Sequence, residues 1–158
     1  FIVIEHNWED EFLYVVYIEE TFHKLLTDAV GRILALDKKF HFVKINLDET
    51  GLGAGATDLV KERLGTRVEG VCFTLKSKQD LYSNLKALME NGKLKIPNHK
   101  RLLYELQDLR YELTSDGNTK IHHSERGRDD YCDSLALSVY DLRPRKRYTP
   151  QIFIPKNK

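Results

Sequence analysis

The sequence predicts an α/β fold, a mixed sheet with helices on its faces. Three observations lead there. Two short runs of β-branched and aromatic residues open the chain around a polar turn. Helical and strand periodicities then alternate through its middle. Carboxylates cluster at a strand end and at a helix start, and sheets of this kind hold ligands beyond the carboxyl ends of their strands.

The elements follow in order. Phe1 to Ile4 reads as a strand, Asn7-Trp8-Glu9-Asp10 as a turn, and Phe12 to Ile18 as the hairpin partner. From Phe22 to Leu36 the period changes, and Phe22, Leu25, Leu26, Ala29, Val30, Ile33 and Leu34 fall on one helical stripe. His41 to Leu47 is a strand ending at Asp48, and Gly51 to Gly55 is a loop before a helix reaching about Leu64. Val68 to Thr74 is a strand. A helix from Lys78 to Glu90 stops at Asn91-Gly92. A short extended piece covers Leu94 to Pro97, and a helix covers Lys100 to Leu109. Tyr111–Thr114 and Thr119–His123 can pair across Ser115-Asp116-Gly117-Asn118. The last helix runs from Asp129 to Tyr140, and Pro144, Pro150 and Pro155 prevent its continuation.

Composition bounds the partners. The chain has 158 residues, 41% hydrophobic and 31% charged, with a net charge of +1. That supports one core and gives no global field, so a nucleic-acid surface must be local. No apolar run approaches a membrane span, and no signal peptide is visible. Cys72 and Cys132, both in apolar surroundings, read as buried thiols. Phe1 opens directly into a strand pattern without an initiator Met, so a piece of a longer protein is expected. The predicted organisation is a domain over 1–142, incomplete at its N-terminal side, and a basic, proline-containing tail over 143–158.

Asp48 leaves a buried strand, while Asp129, Asp130 and Asp133 open a helix docked on the sheet. Asp130 and Asp133 are three apart and so share a helix face. Carboxylates converging from distant segments suit hard divalent cations. Two such ions, about 3.5–4 Å apart, can drive phosphodiester hydrolysis. Taken singly, each acid reads first as a turn residue or a helix cap.

The joint order of motifs carries more. It comprises Leu47-Asp48-Glu49-Thr50-Gly51-Leu52-Gly53, Val68-Glu69-Gly70-Val71-Cys72-Phe73-Thr74, Lys78 with its helix, and Glu90-Asn91-Gly92-Lys93-Leu94-Lys95-Ile96-Pro97. Tyr104-Glu105-Leu106, Gly127-Arg128-Asp129-Asp130 and Asp133-Ser134-Leu135-Ala136-Leu137 complete it. This order resembles the C-terminal nuclease domain of phage and archaeal-virus terminase large subunits, over nearly the whole chain. The resemblance implies a ribonuclease H-like mixed sheet. It implies an endonuclease dependent on Mg²⁺ or Mn²⁺ that cuts concatemeric double-stranded DNA by two-metal hydrolysis. Asp48 would be the central-strand ligand and Asp130 with Asp133 the late acidic pair, Asp129 competing with Asp130. Implied partners are double-stranded DNA, an ATPase domain of the same full-length protein, a portal and a small terminase subunit, in the host cytoplasm and away from membranes.

The sequence departs from the family at two points. Arg128 stands where members usually carry His before the paired acids. The family's first strand, which bears an Asp, has no counterpart here, since Phe1 aligns with the strand after it. No GxxxxGK[ST] occurs, so no nucleotide site is expected in this segment.

Basic residues supply candidate DNA contacts. Lys76 and Lys78 follow a strand end, and Lys120, Arg126 and Arg128 lie in or after the later hairpin with His122 and His123. Ordinary solvated side chains are the alternative for each. Tyr104 and Glu105 read as helix core and helix surface, with Glu105 also a candidate for orienting a DNA-facing base. Two other functions share these features: a Holliday-junction resolvase or transposase-like nuclease of the same fold, and a non-catalytic DNA-clamping or motor-docking module.

Overall fold

A computed structural model describes residues 1–21, 25–50, 53–113, 119–122 and 130–142. β1 (Ile2–Asn7) and β2 (Phe12–Ile18) form an antiparallel hairpin with a register shift between Val3 and Ile4. Polar side chains fix its turn: the Asn7 side-chain carbonyl accepts the Glu9 amide at 2.9 Å, and Asp10 accepts the Phe12 amide at 2.9 Å. α1 (Leu26–Phe40) leads to β3 (Ile45–Asp48), and α2 (Gly53–Leu64) with a 3-10 turn leads to β4 (Val68–Val71). α3 (Leu75–Glu90), β5 (Leu94–Lys95) and α4 (Lys100–Asp108) follow. β6 (Arg110–Leu113) pairs antiparallel with β7 (Thr119–His122), as the sequence suggests, and α5 (Asp130–Ser138) comes last.

The strands form three sheets among the described residues: β1-β2-β5, β3-β4 and β6-β7. β5 runs parallel to β2, and β4 parallel to β3. This is the predicted mixed α/β arrangement. β1 and β3 therefore each keep one edge without a neighbouring strand among the described residues. Between them lies a groove of about 640 Å³, lined by Ile2 and Ile4 of β1 and by Ile45 and Leu47 of β3. α5 also lines it through Tyr131 and Leu137.

Two apolar clusters hold the layers. The larger joins β2 and β5 to α3, α4 and α5, with Leu81, Leu102, Cys132, Leu135, Ala136 and Val139 fully buried. The smaller seals α1 and α2 onto β3 and β4 through Ile33, Ile45, Val60 and Val68. α5 packs against β1, β3, α3 and α4. Its buried side carries Leu135 and Ala136, with Val139 buried just beyond its end.

Three expectations change. The first helix extends to Phe40, and His41 takes a left-handed φ of 52° as its C-terminal cap, so the next strand begins only at Ile45. Arg67 fixes that corner by donating to Asp37 at 2.9 Å and to the Phe42 carbonyl at 2.5 Å. Leu25 and Leu26, placed on the predicted core stripe, are exposed at the start of the helix, whereas Ile33 of that stripe and Leu36, further along it, are buried. Cys72 is exposed, since β4 ends at Val71, while Cys132 is buried as expected. Among the described residues no helix is long and apolar enough to cross a membrane. Residues 22–24, 114–118, 123–129 and the tail over 143–158 lie outside the described residues.

Two predictions follow from the packing. Leu135→Ala empties a fully buried site on α5 and should cost about 2–5 kcal/mol in urea unfolding. The second concerns Glu19, which accepts from the Arg32 guanidinium at 2.7–2.9 Å and ties the end of β2 to α1. Arg32, and then the Tyr17 hydroxyl, hold its carboxyl below the ordinary value against the opposing effect of burial. A lowered carboxyl pKa contributes stability above the unfolded value and loses it as pH falls through the folded one. Wild type should thus lose more stability than Glu19→Gln between about pH 5 and pH 3, measured by urea unfolding.

Candidate functional site

Asp48 ends β3, paired with Val71 of β4. Its Oδ1 accepts the Thr50 amide at 2.8 Å, and the Thr50 hydroxyl accepts the Phe73 amide at 2.9 Å. The strand end is thus fixed by its own Asx-type turn, and the Asp48 side chain stays exposed at the groove. The turn reading and the functional reading of Asp48 are compatible: one oxygen serves the turn, and the carboxylate still faces solvent.

β3 is also stitched to α5. Asn46, two residues before Asp48, donates to the Leu137 carbonyl and to Asp141, each at 3.0 Å. Lys44 pairs with Glu69 and lies 4.0 Å from Asp141. These contacts fix the last turn of α5 beside the middle of β3. Asp48 and Asp130 both line the groove, although they come from separate halves of the chain.

Asp133 is oriented differently. Its Oδ1 accepts the Tyr82 hydroxyl at 2.6 Å, and its Oδ2 accepts from Lys78 Nζ at 3.3 Å. Both donors sit on α3, whose start is fixed by a capping box between Thr74 and Ser77. Asp130 and Asp133 share the first turn of α5, yet one faces the groove and the other binds α3.

Glu105 was read as a surface residue and Tyr104 as core. The structure reverses them: Tyr104 is 65% exposed and Glu105 only 7%. Glu105 Oε2 accepts the Tyr131 amide at 2.8 Å and the Cys132 amide at 3.2 Å. A carboxylate from α4 thereby caps the first turn of α5, satisfying amides that have no partner within the helix. Its Oε2 is directed at these backbone amides.

Lys76 is exposed in the first turn of α3. Lys120 lies on β7, but its side chain is outside the description, as are Arg126, Arg128 and Asp129. His122 lies 3.5 Å from Glu112 across the β6-β7 hairpin.

All the candidate ligands are carboxylates, a donor set that suits a hard divalent ion. Among the described residues, however, no three His, Cys, Asp or Glu side chains converge as a metal cage. The donor chemistry fits such an ion, while the described ligands make an open set.

Sequence reasoning missed Tyr82 and misread Glu105, but both left signals. Tyr82 follows Lys78 by four residues and so shares its helix face. Glu105 stands three residues after the fully buried Leu102, on the inward side of α4. A charged residue on an inward stripe implies a hydrogen-bonding partner.

Residues 18–140 match the family described as the terminase RNaseH-like domain. The chain is 35% identical over 140 residues to the terminase large subunit of Thermus virus P23-45, covering 85% of this chain and 28% of that protein. The chain thus spans about a quarter of the length of the curated relatives it matches. The fold superposes on the large terminase nuclease of thermophilic phage G20c with bound cobalt, at a TM-score of 0.72 and 26% identity, covering 89% of this chain and 80% of that one. The magnesium-bound form of that nuclease gives 0.64 at 32% identity, with coverages of 75% and 62%.

The α5 cap is testable. Glu105→Ala should destabilise the protein by roughly 1–3 kcal/mol in chemical unfolding, because buried amides lose their acceptor. Glu105→Gln, which keeps an acceptor oxygen, should recover part of that loss.

Proposed function

This chain belongs to the terminase RNase H-like domain family, and we propose that it is the metal-dependent endonuclease domain of a viral packaging terminase. Its substrate is concatemeric double-stranded DNA, cut by phosphodiester hydrolysis with two divalent ions, Mg²⁺ or Mn²⁺. The observation that carries this reading is the meeting of Asp48 and Asp130 at one groove beyond a strand end. The cobalt- and magnesium-bound nuclease relatives support a divalent ion at such a site.

Asp48, Asp130 and Asp133 would hold the ions, with Asp129 beside them. The ions' charge would activate water and stabilise the leaving oxygen. The chain's own residues prepare the site. The Thr50 amide orients Asp48, the Tyr82 hydroxyl orients Asp133, and Glu105 sets the start of α5. Lys76, exposed beside this edge, meets DNA phosphate, and Lys78, Lys120, Arg126 and Arg128 extend that contact.

The groove between β1 and β3 supports a further ligand. Among the described residues both edges lack a neighbouring strand and border one space, and an open edge offers backbone donors and acceptors to a further strand. One inserted strand, spaced about 4.8 Å from each neighbour, would join the sheets and satisfy both edges. An Asp on that strand would stand beside Asp48 and Asp130 and complete the set. An ATPase domain of the same full-length protein, a portal and a small terminase subunit are the partners of this reading, and the host cytoplasm is its place.

A second reading, a DNA-clamping or motor-docking module without catalysis, draws support from the open ligand set. Nicking of supercoiled plasmid by the full-length protein separates the two. Cutting in Mn²⁺ that stops with EDTA and falls to the same background in Asp48→Asn supports the nuclease. DNA binding by folded protein without any cutting supports the clamp. Undiminished cutting by Asp48→Asn would remove Asp48 from the catalytic set.

A further inference from the structure

The contact between Lys78 and Asp133 is more specific than a surface ion pair. Both side chains are largely buried, 22% and 18% exposed, and Nζ lies 3.3 Å from Oδ2. The ammonium also stands 5.7 Å from the Phe73 ring centre and 5.8 Å from that of Tyr82. Helix energetics do not account for a lysine here. The first turn of α3 contains no acid and carries Lys76 and Lys78, whereas the positive end of a helix dipole favours acids. Lys78 is therefore placed against its local preference, facing one carboxylate of the candidate site.

We propose that Lys78 and a divalent cation compete for Asp133 Oδ2, so that metal binding releases the lysine toward DNA phosphate. The inference rests on the nuclease reading of the site. Tyr82 holds Oδ1 in place and carries no charge, so it can stay when an ion arrives. Oδ2 is held by a cation, and two cations at one carboxylate oxygen of low exposure repel each other strongly. An ammonium on a flexible four-carbon stem can move aside, which a rigid planar guanidinium does less readily. The freed charge stays at the edge where the DNA backbone must pass. Lys78 is thus a positioning residue for Asp133 before metal binding, and a phosphate contact after it.

The test is calorimetric titration of the full-length protein with Mn²⁺ alone, without DNA or nucleotide. Asp133→Asn identifies the heat that belongs to this site. Lys78→Met should tighten Mn²⁺ binding by about fivefold, the order expected from removing one nearby like charge. Lys78→Gln should do the same, which covers the case in which the methionine variant folds poorly. Lys78→Arg keeps the charge and should bind Mn²⁺ no more tightly than wild type. Unchanged or weaker Mn²⁺ binding in the folded neutral variants would overturn the competition and leave Lys78 a structural support. Mn²⁺ heats that Asp133→Asn leaves unaltered would instead overturn the metal-site reading, and the competition with it.

Discussion

The docking of α5 across the two sheet edges is the constraint on which the site depends. Leu135, Ala136 and Val139 have no exposed surface, and Cys132 beside them is equally buried. Helix α5 packs on both β1 and β3, so its position is set by the same core that forms the sheets. Asn46 then locks α5 to β3 through the Leu137 carbonyl and Asp141. The helix fixed this way places Asp130 of its first turn on the groove that Asp48 also lines. That Asp130 and Asp48 line one groove is a product of core packing and does not require attraction between two acids, which would repel.

Much of this was readable in the sequence. The order of elements, the β6-β7 pairing and the apolar side of α5 follow from periodicity, because each is a local pattern tied to one buried face. Asp48 was legible because a strand ended there in a turn sequence. The acids of α5 were legible as a group, but not their separate orientations. Asp130 turns to the groove and Asp133 to α3, a choice made by Tyr82 and Lys78 from another element. No spacing rule within one helix contains that information.

The misreadings share a cause. Tyr104 and Glu105 were assigned by residue type, yet burial on α4 follows the direction of Leu102 and the amides of α5. A buried carboxylate with two backbone donors is as much a core residue as a tyrosine there would be. Leu25 and Leu26 fit a helical stripe with Ile33 in sequence, but the helix is buried only further along, at Ile33 and Leu36, and its start is exposed. Cys72 looked buried because its neighbours are apolar, although β4 ends just before it. In each case a contact distant in sequence overrode a local preference.

The proposed cation site lies at the groove edge, between carboxylates of β3 and α5. Crystals of the full-length protein soaked in Mn²⁺ and measured for anomalous scattering address that claim directly. A peak is expected between the carboxylates of Asp48 and Asp130, on the side facing the groove. Strong Mn²⁺ peaks held elsewhere in the domain, with none between those two residues, would contradict it.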